Sequence, residues 1–255
     1  MSFLRSVGMA FSCFSAVPMP QMEWGERNMR YMLAALPLVG VLIGALEWLW
    51  VLGAAALGVG PILRGAVMAL LPLAVTGGIH MDGFSDVVDA QASHASPQRK
   101  RQILKDPHVG ALAVMGVVSY LLLSFALACE VDVRLVPAVA AIPVVSRCLC
   151  GIATLTWPAS GGGGMLAALR KASDMRVCCV ALVVQLVLAA GFIVITNALV
   201  GLIALACVLL VFLWVRRFSD VQFGGMSGDI SGFLLQVLEI VALAAIVVAG
   251  KLVLA

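Results

Sequence analysis

The chain has 255 residues, 63% of them hydrophobic and only 11% charged, with a mean hydropathy of +1.11. Soluble proteins average about 45–50% apolar and about 25% charged residues, so 16 basic and 13 acidic side chains cannot clothe a soluble surface of this size. These figures exclude a soluble globular enzyme, a disordered chain and a disulfide scaffold. The apolar stretches are continuous rather than alternating, which argues against a transmembrane β-barrel. A net charge of +3 is too small to signal nucleic-acid binding. What remains is an all-α, polytopic transmembrane helical bundle forming a single membrane domain over 1–255.

The first twenty residues are mildly apolar with one charge, Arg5, and lack a long apolar core or a small-residue cleavage site, so they read as a retained interfacial helix. A spanning helix needs about 20 mostly apolar residues. Seven runs qualify, at roughly 32–56, 61–79, 109–128, 134–156, 177–196, 199–215 and 232–254. Pro61 suits the first turn of the second run, Gly77-Gly78 ends or bends it, and Thr196-Asn197 makes a tight turn between the fifth and sixth. The seven cysteines are an odd number, lie mostly in apolar runs and read as small hydrophobes; Cys148-x-Cys150 does not have zinc-ligand spacing.

Short loops rich in Lys and Arg mark the cytoplasmic side. Arg5, Arg27, Arg30, Arg99, Lys100, Arg101, Lys105, Arg170, Lys171, Arg176, Arg216 and Arg217 share one side, and only Arg64, Arg134 and Lys251 the other. The expected orientation is N-terminus inside and C-terminus outside, with the polar segment 80–108 as a cytoplasmic loop. The Gly161–Gly164 run reads as a flexible linker, since neither a preceding strand nor a Gly-Lys-Ser/Thr sequence supports a phosphate loop.

With so few charges, their clustering is informative. Asp82, Asp86 and Asp89 are spaced i, i+4, i+7, which puts them within a sector of about 60° on a helix. Like charges at this spacing repel, and beside an apolar run the cost rises. A solvated acidic helix end is the plain alternative, but acids at a membrane boundary are functional by default, and an oxygen-rich set of this kind suits Mg²⁺ or Mn²⁺. Gly83 within the cluster allows a close approach. The basic run Arg99–Lys105 ends on Asp106-Pro107; it reads either as topology chemistry or as a polyphosphate holder. In a third cluster, Gly224, Gly225 and Gly228 loosen the backbone before a helix that Ser227 or Asp229 can cap, and a free helix N-terminus is a natural phosphate site. Arg147 and Glu239 lie inside spans, where a charge needs a partner, so a contact between them is expected. His94 reads as an exposed loop residue.

These motifs together resemble the cobalamin synthase family, the adenosylcobinamide-GDP ribazoletransferases. The resemblance rests on FSCFSAVPMP, LPLVGVLIGAL at 36–46, TGGIHMDGFSDVVDA at 76–90, SHASPQRKRQILKDPHVGALAV at 93–114 and FGGMSGDISGFLLQVLE at 223–239, in that order along nearly the whole chain. The family commonly has Leu-Ala where this chain has Phe84-Ser85, Thr where it has Ser227, and Asp-Ser where it has Asp106-Pro107. Every acidic position is filled.

The resemblance implies a Mg²⁺-dependent phosphotransferase (Mn²⁺ being the alternative ion) of the bacterial inner membrane, with its active site on the cytoplasmic side. The 3′-hydroxyl of α-ribazole, or of its 5′-phosphate, would attack adenosylcobinamide-GDP, releasing GMP and forming adenosylcobalamin or its 5′-phosphate. Asp82, Asp86 and Asp89 would be metal ligands. Asp106 would activate the attacking hydroxyl or hold a second metal. Arg101 and Lys105 would neutralise the pyrophosphate, and Gly225, Ser227 and Asp229 would line the other side of the cavity. The expected partners are these two substrates, the lipid bilayer, and further copies of the chain or other enzymes of cobalamin assembly. An ion-coupled transporter using its membrane acids is the alternative, but it predicts an internal symmetry between halves that the sequence does not display.

Overall fold

Hydrocarbon offers no partners to backbone N–H and C=O groups, so a chain this apolar must satisfy them within helices. The structure, a computed structural model, describes residues 2–20, 22–106, 108–161 and 164–254. It is built from α1 (Ser2–Phe14), α2 (Glu26–Met29), α3 (Met32–Ala56), α4 (Pro61–Thr76), α5 (Ile79–Ala92), α6 (Pro97–Ile103), α7 (Ala111–Glu130), α8 (Val136–Thr156), α9 (Met165–Ala172), α10 (Met175–Thr196), α11 (Ala198–Phe223) and α12 (Gly228–Val253). Among the described residues, six helical stretches are long and apolar enough to span, and a seventh arises if the bent pair α4–α5 is counted as one. Their outer faces carry large apolar side chains such as Leu122, Val180, Leu188, Ile195 and Leu210, as a lipid-facing surface requires.

Several boundaries differ from the hydropathy reading, for physical reasons. The second run ends at Thr76, because Gly77 and Gly78 both adopt left-handed backbone (φ +64° and +80°) and the chain turns by 97° into α5. The segment 80–108 is therefore not a loop but mostly the helices α5 and α6. α11 continues through Arg216 and Arg217 to Phe223, and α12 starts at Gly228, four residues before the apolar run. Hydropathy stops where charge begins, whereas a helix stops where its cap sits. Asn197 provides the tight connection of α10 to α11, its side chain accepting from Val200 N–H.

α8 is the centre of the bundle and buries most of its length against α3, α10 and α12. Small residues allow the closest crossing. A Cβ on Gly40 would come within 2.6 Å of the Pro143 carbonyl carbon, and one on Gly44 would overlap the Ala140 carbonyl. This Gly-x-x-x-Gly face lets two spans pack backbone to backbone, where dispersion rather than the hydrophobic effect drives association.

The expected intramembrane contact is present. Arg147 Nη1 donates to Glu239 Oε1 at 2.7 Å and to the Pro143 carbonyl at 3.0 Å, and Ser146 Oγ donates to the same Glu239 oxygen at 2.7 Å. Arg30–Asp174 (2.7 Å) ties the start of α3 to the start of α10 at one end. At the other end Arg134 pairs with Asp132, Lys251 with Glu130, and Arg64 donates to the Cys129 and Val131 carbonyls.

Removing one partner of a buried pair strands the other charge, at a cost of about 3–5 kcal/mol, whereas an apolar replacement of both is often nearly neutral. Arg147→Met should therefore sharply lower resistance to denaturation in SDS titration, and Arg147→Met with Glu239→Met should recover most of the loss.

Candidate functional site

Two glycines position the site. A Cβ on Gly83 of α5 would stand 2.9 Å from both Cα and the carbonyl oxygen of Asp229, and one on Gly232 of α12 would stand 2.6 Å from the His80 carbonyl oxygen. The two backbones thus touch, and Asp82 comes beside the N-terminus of α12. Ser227 caps that terminus by accepting from Ile230 N–H at 3.2 Å. The approach to α12 is fixed by a short bridge between Ala159 and Met226, with Met226 N–H donating to the Pro158 carbonyl at 2.8 Å and Ser160 N–H to the Met226 carbonyl at 3.0 Å.

Around this contact lies a cavity of about 660 Å³. Asp82, Ser227, Gly228 and Asp229 line one wall, Arg101 and Lys105 of the α6 segment another, and Arg170 of α9 a third. Its floor is apolar, with Phe14, Leu33, Leu36 and Leu235. Anionic oxygen donors thus face three cations across a space of small-ligand size. Arg101 is anchored by donating to the Phe223 carbonyl at 3.3 Å, and Arg170 by donating to the Trp157 carbonyl at 2.7 Å. Neighbouring Lys100 is buried between the side-chain carbonyls of Gln91 (2.7 Å) and Gln222 (2.6 Å), which clamps α6 onto α5 and α11.

The structure thus brings together Asp82, Arg101, Lys105, Ser227 and Asp229. Asp86 is half-buried one turn along α5, within electrostatic reach of Asp82, Asp229 and Asp89. The three aspartates of α5 do not form one ready-made metal site, and among the described residues no three His, Cys, Asp or Glu side chains do. The reason is that the Asp89 carboxylate lies against Gly110, at the N-terminus of α7, where the positive end of a helix dipole favours it. Asp106 is exposed and does not line the cavity. Its carboxylate bonds to His108 Nδ1 (2.7 Å) and accepts from His108 N–H (3.0 Å), and these bonds hold it below the usual carboxylate range. Gly225 is buried against Pro158 with φ +127°, so it shapes the loop rather than facing the cavity.

Several cavity residues escaped the sequence reading. By sequence Arg170 reads only as a topology charge, and nothing local marks His80, which is buried and stacked on Phe14 at 6.4 Å. The glycine run read as a linker contributes Gly161 and Gly164 to the wall, while its Gly162 and Gly163, like Pro107 beside Asp106, lie outside the described residues. A glycine-rich segment followed by Arg-Lys was the available signal.

The family model for cobalamin-5-phosphate synthase matches residues 6–247. Among curated relatives, the adenosylcobinamide-GDP ribazoletransferase of Lachnoclostridium phytofermentans is 33% identical over 249 residues, covering 98% of this chain and 95% of the relative. That of Clostridium perfringens is 29% identical over 93% and 95% of the two chains, and that of Pseudomonas fluorescens 34% over 88% and 90%. No solved structure matches.

A side chain at position 83 meets the Asp229 backbone first, and overpacking of this kind costs about 1–3 kcal/mol. Gly83→Val should lower the thermal unfolding midpoint of the purified protein by several degrees, roughly 2–4 °C per kcal/mol. Gly191→Val, where an added Cβ meets nothing within 4 Å among the described residues, should leave the midpoint unchanged.

Proposed function

The chain belongs to the cobalamin-5-phosphate synthase family, and on that premise we propose that the large cavity carries out the reaction named for its relatives: transfer of cobinamide phosphate from adenosylcobinamide-GDP to the 3′-hydroxyl of α-ribazole or its 5′-phosphate. The observation that carries this reading is the single space in which Asp82 and Asp229 face Arg101, Lys105 and Arg170 at a capped helix N-terminus. Phosphoryl transfer asks a protein for positioning and charge stabilisation more than for covalent chemistry, and this set supplies both.

Arg101, Lys105 and Arg170 bind the pyrophosphate and take up the negative charge that gathers on the departing GMP. The N–H groups that open α12 orient the transferred phosphate. The ribazole 3′-oxygen forms the new bond to the phosphorus that carries the cobinamide, the bond to the GMP oxygen breaks, and GMP leaves with the electron pair. A cavity carboxylate, Asp82 or Asp229, receives the hydroxyl proton. Asp106 is engaged by His108 instead. The cavity takes the nucleotide and ribazole ends, and the bulky corrinoid stays at its mouth, on the side of the membrane where the basic residues gather.

The carboxylates of Asp82 and Asp229 on the cavity wall suit a hard divalent ion, and Mg²⁺ is characteristically held by one or two carboxylates with substrate phosphates completing its shell. Bound there, Mg²⁺ would offset charge on the pyrophosphate.

In lipid nanodiscs with adenosylcobinamide-GDP, α-ribazole 5′-phosphate and Mg²⁺, the protein should release GMP and form a cobalamin product; a folded protein without turnover would refute the reading. Asp82→Asn should cut kcat more than ~100-fold, which corresponds to roughly 3 kcal/mol. Asp106→Asn should cost less than about tenfold, an amount under ~1.4 kcal/mol.

A further inference from the structure

A second cavity, of about 70 Å³, lies between α3, α4, α7, α8 and α12, with Met81 of α5 on its wall, and is lined by none of the residues assigned to the reaction. It has room for a few water-sized occupants, since one water needs about 10–15 Å³ on this measure. Most of its wall is apolar, but Glu47, Tyr120, Ser124, Gln236 and Glu239 converge on it.

The charges do not balance. Glu239 is engaged by Arg147 and Ser146. Glu47 is 6% exposed, yet its carboxyl makes no hydrogen bond among the described residues. The Gln236 amide, 8% exposed, is likewise without a partner and lines the same space. Two carboxyl groups therefore share one guanidinium inside the membrane, where an uncompensated charge is costly. The titratable groups facing Glu47 are Glu239 on α12, Arg147 on α8 and Tyr120 on α7, with His80 of α5 within electrostatic reach of Arg147; α4, and α5 through Met81, contribute only apolar side chains to the wall.

We propose that this cavity is a site for one small monovalent cation, a proton or Na⁺, held by Glu47 and completed by the Gln236 amide oxygen and the Tyr120 and Ser124 hydroxyls. The donors are all oxygens, and one positive charge brings Glu47, Glu239 and Arg147 to neutrality. The two unpartnered polar side chains point to an occupant rather than to an acidic surface. Its effect is on the scaffold: the site joins α3, α7 and α12 beneath the catalytic cavity.

The test uses the full chain in lipid nanodiscs and follows the thermal unfolding midpoint in Na⁺ against choline at equal ionic strength, between about pH 5.5 and 8.5. If Na⁺ is the occupant, it should raise the wild-type midpoint by about 2–4 °C at the alkaline end. If a proton is, the midpoint should fall as pH rises in both salts, because the folded state then holds the proton that the unfolded carboxyl gives up. Glu47→Gln should lose both responses. In parallel, dicyclohexylcarbodiimide, which attacks protonated buried carboxyls, should label Glu47 in choline, with protection by Na⁺ only in the first case. A wild-type midpoint indifferent to Na⁺ and pH, a Glu47→Gln variant that responds as wild type does, or a Glu47 left unlabelled at every pH would overturn the proposal.

Discussion

The meeting of α5 with α12 is the constraint on which the site depends. Three like-charged aspartates on one face are costly to carry through hydrocarbon on a continuous span, and the chain turns after α4 at Gly77-Gly78, by 97°, into the aspartate-bearing helix. Contact with α12 is then possible only because Gly83 and Gly232 present no side chain to each other's helix. Everything polar in the large cavity is referenced to that contact. Asp82 follows from the position of Gly83, Asp229 from its backbone touching Gly83, and Arg101 from the clamp that Lys100 makes on Gln91 and Gln222. A fraction of an ångström between two backbones thus sets the spacing of groups on three elements.

That contact needs a rigid support, and α8 provides it. Its small residues accept the Gly40 and Gly44 face of α3, and its Arg147 reaches Glu239 on α12. An ion pair in the bilayer core is weak evidence for stability in itself, but it is strong evidence for register, because its members cannot be displaced by a turn without stranding a charge. Glu239 lies two to three turns below Asp229 on the same helix. Fixing the one fixes the height and rotation of the other.

Much of this was legible in the sequence, and the unread parts share a cause. The spans, the Gly77-Gly78 bend, the Ser227 cap, the Asn197 turn and the Arg147–Glu239 contact follow from local chemistry: apolar length, backbone freedom, a hydroxyl before a helix, a charge without solvent. Helix ends near Arg216 and Gly228 did not follow, since hydropathy detects the membrane and not the helix. Nor did the separate fates of Asp82 and Asp89, which share a helical face but meet different neighbours, the α12 terminus and Gly110. Asp106, attractive beside a basic run, is taken up by His108 two residues on. Glu47 went unremarked although it is the one acid of its span; its significance appears only when Gln236 and Glu239 are brought around it by folding.

Embedding also bears on how the charges act. The large cavity has charged walls at the bundle end and an apolar floor of Leu33, Leu36 and Leu235 that belongs to the spans. Charges over a low-dielectric floor interact more strongly than they would in water, and they are already oriented before substrate arrives. A soluble fold must build such a floor out of its own core. Here the spans supply it, and the scarce charges of the chain can be concentrated where a polyphosphate has to be held. The polar groups left inside the spans then serve the scaffold: Arg147 and Glu239 hold register, and the charge on Glu47 is the remainder that calls for a counter-ion.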